Sequence, residues 1–244
     1  MKYLCDPHII PAPMARDFTQ LTEYVERFKS FALWMQVDVK DGIFAPNPSW
    51  PLCPGQEADV ERMLSGEMRL PEGMSYEAHL MIESPLRVGE AFARAGCTRL
   101  IPHIEAFASS KDIEDTFASW QKAGAKEVGL AILLDTPLSA LSEAARLCDV
   151  IQVMSISDVG HQGRPFDERA LSRVEELHAL YPDMMVAVDG GVTEATVEEL
   201  VRAGANRLAV GRILMQSSEP EVTFADIHER AMRGCTPITL QEAV

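Results

Sequence analysis

The chain has 244 residues, with 37 Asp and Glu against 22 Lys and Arg, for a formal net charge of −15. That balance excludes a nucleic-acid partner, which needs clustered cations to neutralise phosphates, but not a small phosphorylated metabolite held by backbone N–H groups and one local cation. No run of about 18 apolar residues is present, so no membrane partner is expected.

Short apolar runs alternate with amphipathic segments from end to end. In chain order, strands are expected at 8–11, 33–39, 75–81, 99–104, 127–133, 150–154, 184–188 and 207–210. The helical segments that follow them fall near 18–29, 58–64, 85–95, 113–123, 138–147, 168–180, 194–203 and 224–232. Eight strands alternating with eight helices imply parallel pairing through βαβ crossovers. The length is close to the roughly 250 residues of a (β/α)₈ barrel. The expectation is therefore α/β, one (β/α)₈ TIM barrel domain over residues 1–244. The competitor, an open doubly wound sheet binding a dinucleotide, favours a GxGxxG turn. None is present, so no nucleotide cofactor is expected.

A weak internal repeat agrees. Arg94-Ala-Gly-Cys-Thr-Arg-Leu100, Lys122-Ala-Gly-Ala-Lys-Glu-Val128 and Arg202-Ala-Gly-Ala-Asn-Arg-Leu208 each read as a helix ending in a cation, a glycine past its C-terminus, then a strand. The segment at about 45–75 is rich in Pro and Gly and reads as a long βα loop carrying one short helix. The five cysteines, Cys5, Cys53, Cys97, Cys148 and Cys235, form no CxxC pair. They are expected to be free thiols in a reducing cytosol. The N-terminus lacks the apolar region of a signal peptide, which fits a cytoplasmic location.

Barrel chemistry sits at the C-terminal strand ends, so the polar residues closing each apolar run are the site candidates. Gln36, Asp38 and Lys40 alternate with Met35, Val37 and Val39 and share one face. Glu77 with His79, and Ala187 with Asp189, pair in the same way. Three strands thus send ionisable groups toward one axis, where an unpaired charge is costly. A lone His79 reads equally as a satisfied core histidine, and Asp189 as a turn aspartate; their convergence with Asp38 favours a site. His103 and Glu105 end the fourth strand with a weaker signal. Gly190 and Gly191 after strand seven, with Gly211 and Arg212 after strand eight, fall where barrels hold phosphate. Gly160-His-Gln-Gly163 reads as a flap over the same pocket.

These residues resemble the ribulose-phosphate 3-epimerase family over about residues 8–232. The matching stretches are Val37-Asp-Val-Lys-Asp-Gly-Ile-Phe-Ala-Pro-Asn47, Ala78-His-Leu-Met-Ile-Glu-Ser-Pro85, His103-Ile-Glu-Ala106, Val153-Met-Ser155 and Val188-Asp-Gly-Gly-Val192. The resemblance implies a TIM barrel of the ribulose-phosphate-binding type. It implies a ketose-phosphate 3-epimerase, an isomerase that inverts C3 by two-base proton transfer between Asp38 and Asp189 through an enediolate. The expected surroundings of a small phosphorylated sugar are then Lys40, His79, Met81, Met154, Gly190 and Gly191, with Gly163, Gly190, Gly191, Gly211 and Arg212 at its phosphate. The resemblance also implies one divalent metal, Zn, Fe or Mn, on Asp38, His79 and Asp189, and a homo-oligomer.

The chain departs from the family pattern at several positions. Gln36 stands where the family has its other histidine ligand, and glutamine is a poor ligand for Zn²⁺. Ala12 and Ala15 replace serines, Lys40 replaces Met, and Arg212 replaces a small residue. Read together, these changes suggest a metal-free site in which the Lys40 ammonium reaches Asp38 and a substrate oxygen. The Asp38-Val-Lys40 pair also resembles the Asp-x-Lys-x-x-Asp of phosphosugar decarboxylases, but the motif's last position falls on Ile43. Other phosphosugar lyase or decarboxylase chemistry, or non-catalytic phosphosugar binding, are the alternatives.

Overall fold

The computed structural model describes residues 5–157, 159–161 and 163–235. Eight strands run parallel: β1 (His8–Pro11), β2 (Trp34–Lys40), β3 (Ser75–Met81), β4 (Arg99–Pro102), β5 (Glu127–Ile132), β6 (Val150–Met154), β7 (Met185–Asp189) and β8 (Arg207–Val210). Their hydrogen-bonded order is β1-β8-β7-β6-β5-β4-β3-β2. The two ends of that order, β1 and β2, lie side by side, which closes the sheet into a barrel at a seam without ladder pairing. The open doubly wound alternative is thereby set aside.

The helices are α1 (Phe18–Phe28), α2 (Ala58–Ser65), α3 (Leu86–Ala95), α4 (Ser110–Ala123), α5 (Arg169–Leu180), α6 (Val197–Ala203), α7 (Arg212–Gln216) and α8 (Pro220–Gly234). Asp17 caps α1 by accepting from the Gln20 N–H at 2.8 Å, and Ser109 caps α4 by accepting from Asp112. The three repeats end as their sequence implies: Gly96, Gly124 and Gly204 close α3, α4 and α6 at positive φ.

The fifth expected helix, at 138–147, is instead two 3₁₀ turns, Leu138–Leu141 and Ala145–Leu147. Its backbone bonds span three residues, as in Ala140 N–H to Pro137 and Ala144 N–H to Leu141. The buried positions Leu138, Leu141 and Ala144 recur every third residue, the period of a 3₁₀ helix rather than an α-helix. The fourth strand also ends early: His103 makes only an isolated bridge to Ala131, and residues Ile104–Ala106 turn into a 3₁₀ element.

Strand alternation divides the core in two. Val37, Val39, Ala78, Leu80, Ile151, Val153, Val186 and Val188 point outward and join the helices in the larger apolar cluster. Ile101, Ala131, Val150 and Ala187 form a small separate cluster inside the barrel. Below them, at the N-terminal end, charge fills the axis. Arg99 pairs with Glu77 at 2.7 Å and with Glu127, and both Arg99 and Arg207 stack on the Trp34 ring.

One cysteine expectation is overturned. Cys5 and Cys235 form a disulfide, with Cα atoms 5.6 Å apart. Their separation of 230 positions hides the pairing from any spacing rule, because only barrel closure brings the start of β1 and the end of α8 together. Cys53, Cys97 and Cys148 are free thiols.

Candidate active site

The long connection from β2 to β3 shapes the first wall. After β2, residues 41–57 fold back over the strand ends. Trp50 is fully buried there, and its indole N–H donates to Asp59 Oδ2 at 2.8 Å. The Ser49 hydroxyl donates to the Asp38 carbonyl at 2.6 Å and accepts from the Lys40 N–H at 2.9 Å. That clip holds the end of β2 rigid where its side chains enter the site.

Asp38, His79 and Asp189 converge as their strand positions imply. His79 Nδ1 lies 3.0 Å from Asp189 Oδ2 and 3.4 Å from Asp38 Oδ1, with no hydrogen bond formed to either. The Gln36 amide bridges the two carboxylates, donating at 2.7 Å to Asp38 Oδ1 and at 2.8 Å to Asp189 Oδ2. Burial, and next the Asp189 charge, push the Asp38 carboxyl above its ordinary range. Burial alone would lower His79, but the carboxylates of Asp189 and Asp38 hold it at about 9. His79 Nε2 faces His103 Nε2 at 2.9 Å, and His103 Nδ1 faces Glu105 Oε2 at 3.2 Å. Burial takes His103 down to about 4, so this ring is neutral at physiological pH.

Above this cluster opens a cavity of about 640 Å³. Asp38 and Asp189 reach its floor, and Met81, Met154 and Ile156 give it apolar walls. Gly163, Gly190, Gly191, Gly211 and Arg212 line its far end. Gly191 has φ +63, and a Cβ there would meet the Phe166 backbone at 2.8 Å. Only glycine lets the loop after β7 pass so close to the flap. The flap is tied at two carbonyls: the Arg212 guanidinium donates to Gly163 at 2.7 Å and Lys40 Nζ to Gly160 at 2.8 Å. Asp158 and Gln162 of the flap lie outside the described residues.

Lys40 departs from the expected geometry. Its buried ammonium turns to Gly160 and to the Met14 sulfur at 3.3 Å, and among the described residues it forms no ion pair with Asp38. The neighbouring ends of β2 and the flap give it a carbonyl to satisfy its hydrogen bonding, so it ties down the flap, and it acts on Asp38 through its charge without contact. Residues not singled out from sequence also enter the site. Gln152 is fully buried with Nε2 3.5 Å from Asp189 Oδ2. The Ser155 hydroxyl donates to the carbonyls of Asp189 and Gly190. The signal for Gln152 was its inward position between Ile151 and Val153, the same alternation that exposes Gln36.

The donor set fits a divalent cation. Asp38, His79 and Asp189 each offer one ligand atom, all within 4.8 Å of one another. His79 Nδ1 and Gln36 Oε1 are buried without a hydrogen-bond partner. A buried polar atom left unpaired is costly, and a cation held by Asp38, His79 and Asp189 would give the histidine nitrogen a partner. Gln36 contributes a neutral amide where an imidazole would bind Zn²⁺ better.

Comparison with known proteins places this geometry. Residues 8–215 match the model of the ribulose-phosphate 3-epimerase family. A ribulose-phosphate 3-epimerase of Candida glabrata is 30% identical over 235 residues, covering 93% of each chain. One from Aquifex aeolicus is 30% identical over 208 residues, covering 83% of this chain and 87% of its own. In fold, the chain is similar to a 3-keto-L-gulonate-6-phosphate decarboxylase from Vibrio cholerae, with TM-score 0.68 at 13% identity over 93% of this chain and 98% of the other. A 3-hexulose-6-phosphate synthase from Salmonella typhimurium gives TM-score 0.66 at 11% identity over 92% and 99%. With two carboxylates, a histidine and a glycine-lined cavity at the strand ends of one barrel, and with this match across most of its length, the chain belongs to the ribulose-phosphate 3-epimerase family.

Proposed function

We propose that the protein is a ketose-phosphate 3-epimerase, an isomerase that inverts C3 of a small phosphorylated ketose by proton transfer between Asp38 and Asp189. The observation that carries this reading is the carboxylate pair: two strands distant in sequence, β2 and β7, bring Asp38 and Asp189 onto one cavity floor, bridged by a single amide. Epimerisation needs a base on one face of the carbon and an acid on the other. The elevated affinity of buried Asp38 for a proton suits a group that must both accept and return one.

Asp38, His79 and Asp189 would hold a divalent ion, which supplies positive charge beside the enediolate. Gln36 restrains both carboxylates so that they stay aimed at the cavity. Met81 and Met154 cover the carbon chain and keep water from it. Gly190, Gly191, Gly163, Gly211 and Arg212 take the phosphate, with Arg212 providing a local cation. A lyase reading finds less support: Ile43, where the decarboxylase motif has its second Asp, is 72% exposed, and Lys40 is engaged with the flap.

The test is interconversion of ribulose 5-phosphate and xylulose 5-phosphate followed by NMR. Inversion at C3, lost in Asp38→Asn and Asp189→Asn, is expected. Release of a carbon fragment, or binding without inversion, would replace this reading with the lyase or the binding protein.

A further inference from the structure

The cluster contains a chain of contacts that the proposed reaction does not use: Glu105, His103 and His79, linked from the β4 end to the cavity floor. We infer that Glu105 and His103 are positioning residues that fix the ring-nitrogen roles of His79, and through them the cation affinity of the site. This inference rests on the divalent-ion part of the reading above.

Glu105 Oε1 accepts from the Leu133 N–H at 2.9 Å and from the Thr136 hydroxyl, so its carboxylate is oriented by two donors. Its other oxygen, Oε2, is then the acceptor for His103 Nδ1 at 3.2 Å. A carboxylate can only accept, so His103 carries a hydrogen on Nδ1, and the 2.9 Å contact between the two Nε2 atoms has room for one hydrogen, which leaves the His103 Nε2 lone pair as its acceptor. That lone pair faces His79 Nε2 at 2.9 Å, so His79 must donate from Nε2. The remaining nitrogen, His79 Nδ1, faces Asp38 and Asp189 and is the one free to give up its hydrogen and turn a lone pair to a cation. Without a cation that nitrogen keeps its hydrogen toward the two carboxylates; a bound cation would displace the hydrogen and take the lone pair. Phe44 packs on the His103 ring at 4.6 Å, and both rings are fully buried, so neither histidine can turn out to water.

The usual carboxylate–histidine–metal triad has one imidazole; here two are in series. Substituting Glu105→Gln reverses the order. The Leu133 and Thr136 donors keep the amide oxygen on their side, and the amide N–H₂ faces His103 Nδ1. His103 then carries its hydrogen on Nε2, His79 must accept there, and the His79 Nδ1 lone pair is lost.

The experiment titrates metal-free protein with Zn²⁺ against a competing chelator and records ¹⁵N NMR of the histidines in the loaded state. The parent should bind Zn²⁺ through His79 Nδ1 with Nε2 protonated. Glu105→Gln should weaken binding roughly 10–100-fold. His103→Phe, which keeps a ring against Phe44 and removes the acceptor, should weaken it similarly and covers the case of a variant that misfolds. Thr136→Val removes one donor to Glu105 without reversing any hydrogen and should bind like the parent. The inference is overturned if the parent binds no Zn²⁺, if neither relay variant weakens binding, or if Thr136→Val weakens it as much as Glu105→Gln. Weakened Zn²⁺ binding alongside a parent that inverts no sugar would leave the relay standing and remove only the epimerase reading.

Discussion

At the scale of single residues, the site combines groups that would destabilise the protein separately. Asp38 and Asp189 stay close because Gln36 donates to both. Replacing Gln36 with Leu would leave buried Asp38 and half-buried Asp189 without their shared donor, a loss of about 1–3 kcal/mol for such a buried group. The expected result is a lower thermal midpoint together with lost turnover, readable by calorimetry and NMR assay. Asp38→Asn is expected to lower kcat by at least about 10²–10⁴-fold, the usual contribution of one acid–base group. An unchanged rate would remove Asp38 from the reaction. Lys40 belongs to the same scale. Because its ammonium holds the Gly160 carbonyl, Lys40→Met is expected to raise KM through a looser flap while leaving kcat for saturating substrate nearly unchanged. A change confined to kcat would return Lys40 to the reacting centre.

At the scale of elements, packing between neighbouring helices can be tested in the same manner. Gly89 in α3 lies against the Trp120 ring of α4, whose indole N–H donates to the Leu86 carbonyl at 2.8 Å. A Cβ at Gly89 would overlap that ring, so Gly89→Ala should cost about 1–3 kcal/mol by overpacking, measured by urea unfolding. All eight strands were legible in the sequence as short apolar runs between amphipathic segments, and where polar residues face inward, as in Gln36-Val37-Asp38, the strand period shows directly. The helix expected at 138–147 was not, because leucines every third residue serve a 3₁₀ turn as well as they suggest an amphipathic helix. In the site, Asp38, His79 and Asp189 could be read from strand ends. The direction of Lys40 could not, since sequence places its Cβ but not the carbonyl that its ammonium finds.

At the scale of the whole molecule, a barrel joined along the β1–β2 seam without ladder bonds gains from the Cys5–Cys235 link, which ties the segment before β1 to the end of α8. Reduction, or Cys5→Ser with Cys235→Ser, is expected to lower stability by about 2–5 kcal/mol without altering the cavity at the opposite end. Equal melting of oxidised and reduced protein would show that the link carries no stability. Among the described residues no helix is long and apolar enough to cross a membrane.

The central claim is that two carboxylates on one cavity floor invert a carbon by removing a proton from one face and delivering another to the opposite face. It is tested most directly by running the reaction with ribulose 5-phosphate in D₂O and reading C3 early in its course. The account predicts xylulose 5-phosphate carrying deuterium at C3 while the recovered ribulose 5-phosphate still carries protium there. Inversion without solvent deuterium in the product, or no inversion at all, would contradict it.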